Sequence, residues 1–444
     1  MQQTSPDREL QLAAWEAAPA KAWATLAQGT FLRRFLLDHG AGNFLLGIIG
    51  NLPVIVLLMQ PLNSLLLTRS GRPRLLTLVS AILERLLLVV PIVIVLLRAD
   101  KAVPLWAMVS LIASFLVGSI GLNGWMTWLG DLTDRTERGM FVARRSRYEA
   151  VVSIVLGLAA AAILDRFLAR GEVQLGYLTI FVAAGCAGLG SVALIRRLFR
   201  PQPAHAHDEH SPFERLNLPL KDENFRRFLG FHGWLTFGQT LSGPYWEVYL
   251  YKEIKWQTLD VTLYSTLILL VSLACYNYWG RWSDRVGVTP LLRLLMFARL
   301  LNPILWLFIT PKNVWWILAP EAALTGLFVA GVTPMVLVYA LKGGEPEQRS
   351  LYLGTFHAVQ GVMALIGATL GGIVTSRLEP LHIAWGLGWT LTAYHLVFLA
   401  TAAIRGTAQL WLIGIDEPEA RPIGEIIPLL VADLARRVRT LLAR

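Results

Sequence analysis

The chain has 444 residues and a mass of 49.3 kDa, with 55% apolar and 16% charged residues, a mean hydropathy of +0.52 and a net charge of +10. Soluble proteins carry roughly a quarter charged residues, so this composition excludes a soluble enzyme, and its apolar content excludes disorder. The two cysteines, Cys186 and Cys275, lie inside apolar runs, which excludes a disulfide scaffold and offers no metal-ligand spacing. What remains is a polytopic membrane protein, whose positive charge is set by topology rather than by a nucleic-acid partner.

A helix needs roughly 20 mostly apolar residues to cross a bilayer, and lipid offers exposed backbone groups no partner. Twelve stretches qualify as candidate helices: 16–37, 44–67, 75–97, 103–129, 148–168, 175–199, 226–250, 259–280, 290–310, 313–341, 355–376 and 384–404. The first is the least apolar, because it holds Lys21, Gln28, Arg33 and Arg34. No cleavable signal peptide is visible. With both termini in the cytoplasm and boundary residues assigned to the adjoining loop, 27 lysines and arginines fall on the cytoplasmic side and 8 outside. The remaining five, Lys21, Arg33, Arg34, Arg85 and Arg299, are inside spans. That asymmetry obeys the positive-inside rule and would invert for every later loop if one span were missing. The tryptophans suit interface anchors, Trp315 and Trp316 at the start of span ten and Trp125 and Trp128 at the end of span four among them.

Residues 200–222 are polar, contain Pro201, Pro203, Pro212 and Pro219, and divide the chain into halves 1–199 and 223–411, followed by a tail 412–444. A shift of 216 residues lays Arg69-Ser70-Gly71 on Arg285-Val286-Gly287, and a shift of 211 lays Glu137-Arg138-Gly139-Met140-Phe141 on Gln348-Arg349-Ser350-Leu351-Tyr352. Repeated halves are a common transporter architecture. His205-Ala206-His207-Asp208-Glu209-His210 in the central segment has no rigid frame to hold a metal, and no cofactor is expected. In the tail, Leu430, Leu434, Val438 and Leu441 share a face opposite Arg436, Arg437 and Arg444, which predicts an amphipathic helix on the membrane surface or against a partner.

The most informative stretch is Gly280-Arg281-Trp282-Ser283-Asp284-Arg285-Val286-Gly287 between spans eight and nine. It resembles the loop signature Gly-x-x-x-Asp-Arg-x-Gly of the major facilitator superfamily. Gly280 permits close helix approach, Asp284 can accept hydrogen bonds from a helix N-terminus or pair with a base, and Gly287 suits a tight turn. The resemblance implies an all-helical fold of twelve spans in two six-helix halves. It also implies alternating access, and a cytoplasmic latch formed by Gly280, Asp284, Arg285 and Gly287 with Arg69 and Gly71. The copy in the first half is incomplete, with Thr68 where the acid belongs, and Val288-Thr289-Pro290 replaces the basic residues that usually close the second copy. The glycines of span eleven, Gly361, Gly367, Gly371 and Gly372, read as close-packing positions.

An ionisable residue inside a span is costly and marks a candidate site. Spans one, four, seven and ten line the central cavity in the family, so Gln28, Arg33, Arg34, Asn123, Gln239 and Glu247 are candidate substrate contacts. Arg33 and Arg34 suit an anionic or zwitterionic molecule, or else snorkel to the external surface. Glu247 lies near the outer end, where a solvated position is expected. Glu321 is the preferred proton carrier and Glu84 the second, by burial of a carboxyl. Glu84 and Arg85 diverge on one helix as neighbours, so each is expected to pair with another span. No nucleophile–base constellation and no phosphate loop appears, so no enzyme is expected. The expectation is a proton-coupled secondary transporter of a small molecule, in contact with membrane lipids and not nucleic acid, monomeric, in the plasma or bacterial inner membrane. The rival is a non-transporting relative that senses, assembles or handles lipid.

Overall fold

The computed structural model describes residues 6–132, 138–198, 218–342, 349–384, 389–417 and 420–442. The first half comprises α1 (Pro6–Ala27), α2 (Gly29–Asp38), α3 (Asn43–Ile55), α4 (Gln60–Arg69), α5 (Pro73–Leu97), α6 (Leu105–Leu132), α7 (Arg138–Ala169) and α8 (Val173–Leu198). The second comprises α9 (Glu223–Ser242), α10 (Tyr245–Lys252), α11 (Thr258–Val286), α12 (Val288–Arg299), α13 (Leu301–Leu305), α14 (Val314–Lys342), α15 (Arg349–Arg377) and α16 (Ala393–Ala408). A short antiparallel hairpin, β1 (His382–Ala384) on β2 (Thr390–Thr392), precedes α16, and α17 (Ile423–Leu442) forms the tail. Among the described residues, nine helices are long and apolar enough to cross a membrane. Three further segments, α1–α2, α9–α10 and α16, pack among them but are too polar or too short to qualify on hydropathy. The outer faces carry exposed apolar side chains such as Val109, Val155, Leu270 and Phe297, at 57%, 64%, 49% and 64% exposure. That is the surface of a multi-pass membrane protein and not of a soluble one.

Local breaks follow from backbone chemistry. Gly29 takes a positive φ of 58° and separates α1 from α2, while Gly243-Pro244 ends α9, since a proline cannot continue the hydrogen-bond ladder. Gly71 and Gly287, paired by the 216-residue shift, both adopt positive φ, 63° and 92°. Thr392 and His395 form a reciprocal cap on α16, so the last helix begins at Ala393 and not at 384, because His382–Ala384 and Thr390–Thr392 pair as strands.

The halves meet along two seams, α3 and α4 against α15, and α7 against α11. Two glycines of α15 make the first seam possible: a Cβ on Gly361 would run into the backbone of Leu58, and one on Gly372 would meet Phe44. Gly367 and Gly371 serve close packing within the second half, where a Cβ would meet Thr240 and Leu241 of α9. One apolar core, including Phe31, Phe35, Tyr177, Tyr245, Tyr249, Trp306 and Phe398, joins the halves, and a second, including Phe228, Trp279, Trp282, Met335 and Phe356, lies within the second half.

Several expectations need correction. Trp125 and Trp128 are not interface anchors: both are 5% exposed, stacked at 4.9 Å, and packed with Ala13, Ala14 and Ile195. The tail helix does not rest on the membrane alone, because Ile426 and Leu430 are buried in the second-half core. Arg405, one residue past the expected end of span twelve at 404, lies inside α16 and is 7% exposed. The histidines of the central segment fall outside the described residues. The glycine seam carries a direct expectation: Gly361→Val should lower the melting temperature in detergent by the equivalent of about 1–3 kcal/mol, as overpacking does, whereas Gly354→Val, with nothing within 4 Å, should not.

Candidate functional site

A cavity of about 370 Å³ lies between the halves, lined by α1, α2, α3, α6 and α7 on one side and α11 on the other. Lys21, Ala24 and Thr25 face it at i, i+3 and i+4, one stripe of α1, and Gln28 follows at the break before α2. Gly29, Thr30 and Arg33 continue that wall across the helix break. Ser153 and Gly157 of α7 and Thr262, Ser265 and Thr266 of α11 complete its polar lining. The lining contains Lys21 and Arg33 and no carboxylate. It is a positively charged, hydroxyl-rich space with only Phe31 and Phe115 as aromatic walls.

Arg33 stands at one end of this cavity and pairs with Glu247 of α10 from the opposite half. Its Nε donates at 3.0 Å and its Nη2 donates to the other carboxylate oxygen, which also accepts from Thr30 at 3.3 Å. Glu247 is therefore held by protein rather than solvated, with its side chain 15% exposed. Around it, further polar bonds join the halves. Asn43 donates to the Thr375 carbonyl at 3.1 Å, and its Oδ1 accepts from Lys252 and Tyr394, both at 3.2 Å. Its carbonyl accepts from Tyr245 at 3.0 Å, and Asn51 donates to Thr240 at 2.9 Å. Asp165, at the end of α7, accepts from the amides of Thr258 and Leu259 at 3.0 and 2.7 Å, the helix N-terminus of α11. We call this the clasp end.

The other candidates have separate settings. Gln28 lines the cavity. Arg34 turns away from it, bonded to Asp38 at 3.0 Å and set over the Tyr251 ring at 4.5 Å. Asn123 donates to the Gln60 carbonyl at 3.4 Å, tying α6 to α4. Gln239 presents its amide oxygen to both Nη atoms of Arg299 at 3.2 and 3.3 Å. Glu321 is 3% exposed and accepts from Tyr264 at 2.6 Å, Thr325 at 2.7 Å and Asn302 at 3.3 Å. Glu84 and Arg85 do not reach separate spans. They pair with each other at 2.5 Å, because the guanidinium stem is long enough to curl back, where it also donates to the Ala81 carbonyl at 2.9 Å. Sequence reasoning passed over Glu16, 1% exposed, which accepts from Ser191 at 2.6 Å and Arg145 at 2.9 Å. Lys21 was visible only as a blemish in span one; its i, i+3, i+4 stripe with Ala24 and Thr25 was the signal available.

The loop motif is disengaged in this structure. Asp284 and Arg285 are exposed and make no hydrogen bond or ion pair among the described residues, and Gly280, Arg69 and Gly71 contribute no contact to a latch. Glu417 of the tail instead accepts from the amides of Val288 and Thr289, at 3.2 and 2.8 Å, at the N-terminus of α12. Arg421 donates its backbone amide to the Val286 carbonyl at 3.0 Å.

Residues 232–440 match the family model described as Major Facilitator Superfamily. The fold is that of the Major Facilitator Superfamily. Solved structures carrying the same major facilitator fold include the nucleoside transporter NupG, with TM-score 0.63, 14% identity, and 93% of this chain on 99% of that one. A bacterial homologue of the human lysosomal transporter Spinster, inward-facing and occupied, aligns with TM-score 0.61 and 13% identity, covering 92% of this chain and 97% of that one. The human organic anion transporter MFSD10 aligns with TM-score 0.56 and 15% identity, covering 92% and 100%. A search of curated proteins by sequence finds no match. The family match begins within α9.

The Arg33–Glu247 pair is expected to hold the clasp shut, since breaking a buried pair costs about 3–5 kcal/mol. With Cys186 and Cys275 replaced by serine, spin labels at Glu172 and Lys312 measure the separation of the halves at this end. Glu247→Gln should add a longer-distance population that the parent lacks.

Proposed function

We propose that the protein is a secondary transporter of a small anionic molecule that works by alternating access, with the cavity around Lys21, Gln28 and Arg33 as its substrate site. The observation that carries this reading is the cavity itself: it lies between two halves, is lined by two cations and no acid, and is closed at one end by bonds that cross between the halves. The twelve helical segments, with both termini cytoplasmic, fit the distribution of lysine and arginine. The clasp end is then the outer one and the structure is inward-facing, a state in which a disengaged Asp284 loop is what a cytoplasmic latch predicts. The bacterial inner membrane is the compartment proposed. Halves 1–199 and 223–411, joined by 200–222, would rock about the site.

Coupling to protons is assigned to Glu321, the carboxyl most enclosed by the second half, with Glu84 secondary because Arg85 already neutralises it. The rival reading, a non-transporting relative that senses, assembles or handles lipid, does not require a cavity shared between the two halves.

A thermal-shift panel of small carboxylates and phosphates, each beside a neutral isostere, tests the site. A ligand that binds only the folded state raises the melting temperature. Anionic members should stabilise the protein, their neutral isosteres should not, and Lys21→Gln should abolish the difference. Stabilisation by cations, or none by any anion, would sink the anionic reading. For a ligand so identified, proteoliposome uptake should be driven by an inward proton gradient in the wild type. In Glu321→Gln the gradient should no longer accelerate uptake, while exchange without a gradient persists.

A further inference from the structure

The cavity lining holds more hydrogen-bonding capacity than the protein uses. The side chains of Lys21, Gln28, Ser153, Ser265 and Thr266 line it and make no hydrogen bond or ion pair among the described residues. The Oγ1 of Thr25, in the same wall, is sealed from solvent without a partner. A hydroxyl on a helix can satisfy itself on the carbonyl four residues back. On α11 Thr262 does so with Thr258 and Ser272 with Ile268, both at 2.8 Å, whereas Ser265 and Thr266 do not. These groups also stand level with one another. A Cβ on Gly157 would lie 3.6 Å from the methyl groups of both Thr25 and Thr262, so α1, α7 and α11 converge there. α1 and α7 run parallel in one register: Arg145 donates to the Ala13 carbonyl at 2.9 Å across 132 residues, the separation that also divides Gly157 from Thr25 and Ser153 from Lys21. α11 runs the opposite way, since Asp165, beyond Gly157, accepts from the amide of Thr258, ahead of Thr262. Lys21, Ser153 and the pair Ser265–Thr266 therefore form one layer, a helical turn from the convergence and all on the same side of it.

An ionised carboxylate only accepts hydrogen bonds. It would satisfy the Lys21 ammonium and the hydroxyl protons, and would leave the hydroxyl lone pairs and the Gln28 amide oxygen without a donor. Substrate hydroxyls both donate and accept, so they complete the set. The volume of about 370 Å³ falls within the roughly 300–1,000 Å³ of small-molecule sites. The two aromatic walls, Phe31 and Phe115, are 2% and 6% exposed and offer little ring face for stacking a flat substrate. We infer that the substrate is a polyhydroxylated anion of sugar size, a sugar acid or a sugar phosphate. Its anionic head sits on Lys21 among Ser153, Ser265 and Thr266, and its hydroxyls run past Thr25 and Gln28. This inference names the substrate class of the proposed site and rests on the anionic reading of it.

Affinities read from the concentration dependence of the melting temperature in detergent test it, with gluconate, hexanoate and glucose as probes. Hexanoate keeps the carboxylate and the chain but lacks the hydroxyls; glucose keeps hydroxyls but lacks the charge. Gluconate should bind tighter than either by about tenfold or more, and Ser265→Ala and Thr266→Val should each weaken gluconate about two- to tenfold while leaving hexanoate unchanged. Glucose 6-phosphate run beside gluconate separates the two head groups, the tighter of the pair naming phosphate or carboxylate. Hexanoate binding as tightly as gluconate would overturn the inference and leave the anionic site standing. Glucose binding as tightly as gluconate would sink the anionic reading, and the inference with it. No response to gluconate or to glucose 6-phosphate overturns the inference as well. The comparison of probes is made on the wild type, so it decides even where a variant does not fold.

Discussion

A charged group surrounded by hydrocarbon must meet an opposite charge, a set of hydrogen bonds or water, because the low-dielectric interior supplies no solvation of its own. This constraint organises the interior. Glu16 is answered by Arg145 and Ser191, Glu84 by Arg85, Glu247 by Arg33, and Asp38 by Arg34 and Tyr177. Each pair also ties chain segments together or fixes a helix face. Arg33 thereby lines the cavity and bonds the opposite half with one side chain.

The same rule separates the two halves in character. In the first half the buried acids are matched by bases, and the cation left over, Lys21, looks into the cavity. In the second, Arg299 and Arg405 outnumber Glu321 among the buried charged residues.

Much of the fold was legible because membrane burial writes itself in long apolar runs, and the loop at Gly280–Gly287 pointed to the family that the fold matches. The glycines of span eleven were readable as close packing, since nothing else explains four of them on one helix. What sequence missed had definite causes. Arg405 was lost to a boundary error of a few residues, because Thr390-Leu391-Thr392 reads as apolar helix until the Thr392–His395 cap is seen. The Glu84–Arg85 pair was misjudged because Cβ directions were weighed and side-chain length was not. Trp125 and Trp128 were taken for surface anchors because hydropathy does not reveal which helix lies behind them. The Arg33–Glu247 contact spans 214 residues, and no local pattern carries such a distance.

The Glu417 contact bears on the order in which the protein is made. The N-terminal amides of α12 are synthesised about 130 residues before the carboxylate that caps them, at 288–289 against 417. Val286 likewise waits for the Arg421 amide. Closure of this corner of the second half therefore waits for residues made long after the helix that they cap.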